Sequence, residues 1–331
     1  MRAGARIASL ISARTVAFAA ANRGASTRIG APMDCCPSAH LRDKAAAFGA
    51  DNPSSSRAMP AGPGPTWRDI PAGTFRMGND GSDANAGDDE GPVRDVSLPA
   101  FRIAAATVTN AEFAAFVRAT GHVTDAERAG DSFVFYLQLA PAQRVSAVAR
   151  AVAGLPWWVR VADASWQRPE GPGSHVLDRP GHPVVHVSWR DATSYCAWSA
   201  TRLPSEAEWE RAARGGLEGK RFAWGDELND AAGVPRCNVF RGEFPGAPTS
   251  GWMPAAIDAS AGAANGFGLF NVCGNVWEWC DDRWPDDRRA LRGGSFLCHD
   301  SYCNRYRVAA RHANTADTST SHIGFRVARS A

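Results

Sequence analysis

The sequence predicts a single α+β domain with little regular secondary structure. Three observations carry that expectation. The 331 residues include 32 Gly and 21 Pro, so much of the chain must be turn and loop. They include 12 Trp against 4 Tyr, so large rings are available to pin those loops. A few helical patterns with clear start signals stand between short strand-like pieces, without a regular alternation of strand and helix and without an internal repeat.

Taken in order, residues 1–66 read as a disordered Ala/Arg/Pro/Ser-rich extension and residues 67–329 as the domain. Arg2, Arg6, Arg14, Arg23 and Arg28 lie in a stretch without acids, and Arg14 breaks the apolar run from Ile7 to Ala21. That break argues against a signal-peptide core, and Met33 or Met59 offers a later start. Residues 51–65 read as a Pro/Ser/Gly linker. From Ile70 to Gly78 the pattern is a strand ending in a Gly-marked turn, and the acidic, Gly-rich residues 79–95 read as loop. Thr109–Glu112 is a capping box followed by Phe113, Phe116 and Val117 at helical spacing, with Gly121 as the stop. Residues 140–153 read as a second helix. Ser188–Asp191 opens a third, with Tyr195 and Cys196 facing inward. Ser205–Glu208 is another capping box, and Gly215 ends the helix it starts. Beyond about residue 222 short strand-like pieces are broken by Gly, Asn and Pro.

Composition bounds the function. Apolar residues make up 44% and charged residues 21%, enough for a core and against disorder of the whole chain. A formal net charge of +2 argues against a nucleic-acid partner, which needs basic residues to neutralise phosphates. No run of eighteen or more apolar residues predicts a membrane span. No GxGxxG motif, phosphate-binding loop, HExxH pair or GxSxG elbow is present. Nucleotide, flavin and serine-hydrolase chemistry are therefore disfavoured, and the thiols remain. The cysteines are Cys35, Cys36, Cys196, Cys237, Cys273, Cys280, Cys298 and Cys303, with no CxxC pair to suggest a zinc ribbon or an iron–sulfur cluster. Cys298 and Cys303 stand close together in a polar, aromatic turn. On spacing alone they read first as buried inert thiols, the usual fate of free cysteine, with a local disulfide or a soft-metal ligand pair as the competing readings.

The longer string GGSFLCHDSYCNRYRVAARHANTADTSTSHIGFR, which contains both, resembles the C-terminal signature of the formylglycine-generating enzyme (sulfatase-modifying factor) family. So do GDSFVF (130–135), PWW (156–158), RPEGP (168–172), HPVVHVSW (182–189), RLPSEAEWERAARGG (202–216), NVFRGEFP (238–245) and NGFGLFNVCGNVWEW (265–279). The Cys298/Cys303 pair within SxxCxxSYCxRYR places the resemblance in the oxidase branch. A non-catalytic binding module on the same fold is the alternative reading. An iron-dependent sulfoxide synthase would need a histidine-rich helical domain that is not seen.

The resemblance implies a C-type-lectin-like fold. It implies copper-dependent aerobic oxidation of the cysteine in a Cys-X-Pro-X-Arg motif, carried by an unfolded sulfatase polypeptide, to Cα-formylglycine. Dioxygen and an external thiol reductant are the co-substrates it implies. Cys298 and Cys303 would hold Cu(I), with Ser295, Tyr302 and Trp277 around the reacting thiol. Glu90 and Asp131 would be groove acids that bind the substrate, and Trp157, Trp158 and Trp166 would wall the groove. A Ca²⁺ site would use Asn271, Gly274, Val276 and Glu278. A second would use Asn238 and Val239, but Thr249-Ser250-Gly251-Trp252 lacks the acid it needs. Secretory relatives' disulfides would pair Cys196 with position 327 and positions 213 with 308. Val327, Ala213 and Val308 forbid both, which implies a reducing compartment and so a bacterial cytoplasmic enzyme, expected separately to be a monomer. His322 stands where eukaryotic members carry Asn.

Overall fold

Helix starts are set by side-chain caps that satisfy the backbone N–H groups a helix leaves open. In the computed structural model, which describes residues 35–39, 64–85, 87–147 and 150–331, Thr109 and Glu112 cap each other's backbone at the start of α1 (Asn110–Thr120), and Gly121 ends it in the left-handed region. Thr124 and Glu127 do the same for α2 (Asp125–Ala129), which ends at Gly130; this helix is too short to show a sequence period. Helix α3 (Pro141–Ala147) begins at a proline. Ser188 with Asp191 caps α4 (Trp189–Trp198), and Ser205 with Glu208 caps α5 (Glu206–Arg214), closed by Gly215. The helix expected over 140–153 is shorter than predicted. Gly154, at φ 81°, turns the chain so that Ala151–Val152 pair back on Leu155–Ala162, burying Val152 and Leu155.

The strands are β1 (Trp67–Ile70), β2 (Gly73–Met77), β3 (Arg94–Leu98), β4 (Phe101–Ala104), β5 (Asp131–Phe135), β6 (Ala151–Val152), β7 (Leu155–Ala162), β8 (Gly242–Glu243), β9 (Ala247–Pro248), β10 (Trp277–Arg283), β11 (Arg288–Arg292), β12 (Arg311–Thr315), β13 (Ile323–Phe325) and β14 (Ala328–Ser330). They form small separate sheets, in the orders β1-β4-β14, β12-β11-β10-β13, β5-β7-β6, β2-β3 and β8-β9. The single strand expected from Ile70 to Gly78 is two, because the segment at Pro71 leaves one sheet for another. The mix of short helices and strands is α+β, as predicted. Among the described residues no helix is long and apolar enough to cross a membrane.

The main core gathers Phe113, Phe116, Trp166, Tyr195, Trp209, Trp277, Trp279 and Phe325. A second cluster joins Phe133, Phe135, Trp157, Trp158, Phe240 and Phe296 beneath the Cys298 turn. Charged side chains are buried beside them in pairs. Arg292 reaches Glu206 and Glu210, and Glu210 also takes Arg214 (2.7 Å) and the Gly78 amide (2.8 Å).

The expected disordered extension needs one correction. Residues 35–39 are buried in the domain, with Pro37 held through its carbonyl by Asn314 at 3.0 Å and Cys35 through its carbonyl by Trp158 at 3.1 Å. An apolar, proline-containing segment that finds such partners buries itself instead of staying solvated. Residues 1–34 and 40–63 lie outside the described residues.

Breaking a buried pair strands its partner charge. Glu210→Gln therefore lowers the unfolding free energy by about 3–5 kcal/mol in urea titrations, whereas Asp69→Asn, at an exposed pair with Arg102, leaves it essentially unchanged.

Candidate active site

Strand β11 runs into Gly293 and Gly294, at φ 92° and 68°. A Cβ on Gly294 would lie 2.7 Å from the Arg305 carbonyl oxygen, so glycine is what lets the two limbs of the following turn close. Inside the turn the Cys298 amide donates to Ser295 O (2.9 Å), and the amides of Tyr302, Cys303 and Asn304 converge on His299 O (3.0–3.1 Å). Residues 271–276 brace it from below, through Gly274 N to Gly293 O (2.7 Å) and Phe296 N to Asn275 O (2.9 Å). The acidic loop braces it from the side. Arg305 makes a two-pronged pair with Asp88 (2.6 and 2.7 Å), Arg307 another with Glu90 (2.5 and 2.6 Å), and Asn85 donates to Cys303 O (2.7 Å).

This turn brings the sulfurs together. The Ser295 amide donates to Cys298 Sγ at 3.4 Å. Cys298 and Cys303 are in side-chain contact, and Cys303 in turn contacts Cys35. Arg305 Nη1 donates to Cys35 Sγ at 3.2 Å, and Cys36 Sγ lies 3.4 Å from His322 Nε2. One ligand atom each from Cys35, Cys36 and His312 fall within 4.8 Å of one another. Burial, then the adjacent Cys298, pushes the Cys303 thiol pKa well up. Contact with Cys303 is the first cause that drives Cys35 up to about 12, against the opposing pull of Cys36 and Arg305. The polypeptide alone thus favours neutral thiols here. A coordinated cation reverses that balance, since a ligating thiol is deprotonated outright. Clustered buried sulfurs are the donor set that a soft ion such as Cu(I) prefers.

Around the sulfurs, Tyr302 meets Trp157 edge-on (5.1 Å) and stacks on Phe244 (5.2 Å), so these rings form a wall. The indole N–H of Trp277 and Nε2 of His312 are buried and find no hydrogen-bond partner among the described residues, with their rings 5.4 Å apart. They are polar groups available to something bound beside the thiols.

Other expected site residues have partners of their own within the chain. Glu90 is committed to Arg307, so it holds the Cys303 turn from behind. Asp131 is buried and paired with Arg160 from the neighbouring strand. Trp158 lines the site, whereas Trp166 packs edge-on against Phe113 in the main core (5.3 Å). The Glu278 carboxylate accepts both arms of Arg326 (2.9 Å each) and the Trp209 indole (2.7 Å). Its charge is already matched, so Asn271, Gly274, Val276 and Glu278 do not fit a Ca²⁺ ion that needs this carboxylate. Asn238 donates its amide to Ala255 O (2.9 Å) and Asn275 Oδ1 (3.0 Å), and Val239 is core, so the second expected calcium set is a packing node as well. Sequence reasoning missed Cys35, Cys36, His312 and the Asp88 anchor. The adjacent cysteines followed by proline were the visible signal for the first two; nothing local marks the others.

Residues 55–331 match the model of the sulfatase-modifying factor enzyme 1-like domain. The chain belongs to that family. It is 53% identical to the formylglycine-generating enzyme of Thermomonospora curvata over 78% of this chain and 91% of that one. It is 50% identical to the formylglycine-generating enzyme of Streptomyces coelicolor, over 83% and 95% of the two chains. Among solved structures, PvdO from Pseudomonas aeruginosa shares the fold at a TM-score of 0.58 and 24% identity, covering 81% of this chain and 95% of that chain.

In this family member the histidines near the sulfurs are held neutral. Burial, then His186, lowers the His322 pKa from 6.5 to about 3. Below pH 6.5 the unfolded chain takes up this proton and the folded chain does not. Stability is therefore full above about pH 6.5 and falls as the pH drops towards 3, by about 1.4 kcal/mol per pH unit for this group. Urea unfolding at pH 7 and pH 5 checks it: His322→Asn loses less between the two than the unsubstituted protein does.

Proposed function

We propose that this protein is a formylglycine-generating enzyme that oxidises the cysteine of a Cys-X-Pro-X-Arg motif in an unfolded sulfatase chain to Cα-formylglycine. The observation that carries the reading is the buried contact of Cys298 with Cys303 in a turn whose every brace comes from the same domain. The overall reaction balances as follows. The substrate carbon loses two electrons, and two external thiols supply two more as they become a disulfide. Those four electrons reduce dioxygen to two waters. One water then hydrolyses the thioaldehyde, leaving the aldehyde and releasing hydrogen sulfide.

In this reading Cys298 and Cys303 hold Cu(I), and the ion supplies the reactivity towards dioxygen that a thiol lacks. The Trp277 indole N–H and Ser295 offer hydrogen bonds beside the sulfurs. Tyr302, Trp157 and Trp158 wall the peptide path and keep water from the reacting carbon. Asp131 takes the motif's arginine by exchanging it for Arg160, since a guanidinium and a carboxylate match in a fork. Calcium is not invoked, because Arg326 already neutralises Glu278. One chain supplies every group named, so the working unit is the monomer. The buried free thiols, including Cys196 opposite Val327 in the expected pairing, suit a reducing bacterial cytoplasm.

The test is the Cu(I)-loaded full chain, a Cys-Thr-Pro-Ser-Arg peptide, air and a thiol reductant, read by mass spectrometry. The peptide is expected to lose about 18 Da, the thiol-to-aldehyde difference. Cys303→Ser is expected to slow the conversion by about 100-fold or more. A chain that binds the peptide without changing its mass would instead be a binding module.

A further inference from the structure

The segment Cys35-Cys36-Pro37-Ser38-Ala39 lies over the thiol pair in the way a bound peptide would. Main-chain groups of alternate residues are taken in turn by the domain. Trp158 donates to Cys35 O (3.1 Å), Asn314 donates to Pro37 O (3.0 Å), and the Ala39 amide donates to Thr318 Oγ1 (2.9 Å). Main-chain bonding of this kind is how peptide grooves hold a ligand whatever its side chains. The Cys35 sulfur sits against Cys303, where a reacting thiol has to be. The five residues also carry the expected substrate spacing, with cysteine first and proline third. Only the fifth position departs, being Ala39 instead of arginine.

The acid assigned to that arginine is engaged within the chain, and its strand neighbour Ser132 meets the segment that holds the fifth position. Thr318, which holds Ala39, precedes Ser319, and Ser319 meets the Ser132 hydroxyl at 2.9 and 3.0 Å. Ser132 follows Asp131, whose carboxylate is paired with Arg160. The segment therefore carries each part of the motif except the guanidinium, and Asp131 is meanwhile held by the chain's own Arg160.

We propose that residues 35–39 are an intramolecular pseudosubstrate, which occupies the peptide groove and competes in cis with the sulfatase chain. The proposal rests on the functional reading above. Joined to the domain through residues 40–63, the segment is present at an effective concentration on the order of millimolar. Lacking the charge-assisted fork that an arginine makes with a carboxylate, it yields to a ligand that has one. The groove is thus filled when no sulfatase chain is present, which keeps solvent and stray thiols from the paired cysteines.

Hydrogen exchange and kinetics on the full chain test this together. The amides of Cys36, Ser38 and Ala39 are expected to exchange slowly, and to become fast when Cys-Thr-Pro-Ser-Arg peptide saturates the protein. Pro37→Asp, which would bury an unpaired charge, is expected to release the segment and lower KM for the peptide by about tenfold with kcat unchanged. Ala39→Arg completes the motif and is expected to raise KM. Amides that stay protected while the peptide is bound, or a KM indifferent to Pro37→Asp, would overturn the proposal. The two readings fail separately. A peptide that displaces residues 35–39 yet is never oxidised leaves the pseudosubstrate standing without the enzyme. A peptide that is oxidised while the segment stays protected leaves the enzyme without the pseudosubstrate.

Discussion

Arg305 against Asp88, Arg307 against Glu90, Arg292 against Glu206 and Glu210, and Arg326 against Glu278 are ion pairs closed off from water. Small sheets and short helices leave this domain few long ladders to set its loops, and these pairs set them. Asp88 and Glu90 tie the acidic loop to the cysteine turn. Glu206 and Glu210 tie α5 to β11, and Glu278 ties β10 to the segment that follows β13. A buried pair adds little stability beyond what packed apolar groups would give, but losing one partner is severe. Their effect is geometric: each guanidinium accepts only a few in-plane partners, so each fixes how two distant segments meet.

The helices were the most legible part of the fold, because caps are local. Thr109 with Glu112, Ser188 with Asp191, and Ser205 with Glu208 announce themselves within four residues, and all start helices. The 140–153 stretch misled for an equally local reason, since alanine-rich text favours helix until Gly154 permits a hairpin. The cysteine turn was visible in its residues but not in its supports. Asp88 and Glu90 lie more than two hundred residues away from Arg305 and Arg307, and no local pattern says that loop acids will be buried. The pairing of Glu278 with Arg326 escapes local reading for the same reason, since the two are remote in sequence.

The site combines requirements that usually conflict. Its thiols are buried, which favours the neutral form, yet metal binding requires thiolates. Under the proposed copper role, several sulfurs gathered in one place would resolve this, because a single soft cation can satisfy them together. Cys35 belongs to this cluster through a segment that composition had assigned to disordered extension. Its burial against Cys303 makes the segment an occupant of the site rather than a solvated tail. Burial holds His312 and His322 neutral, so the charge beside the sulfurs comes from Arg305 and its partner Asp88.

The proposed chemistry requires that Cys298 and Cys303 act as one soft-metal site. Anaerobic titration of the full chain with Cu(I) against a chromogenic chelator measures that directly. The expected result is one tightly held Cu(I) per chain, lost in Cys298→Ala and in Cys303→Ala alike. Copper retained at the same stoichiometry and affinity when both cysteines are replaced would contradict it.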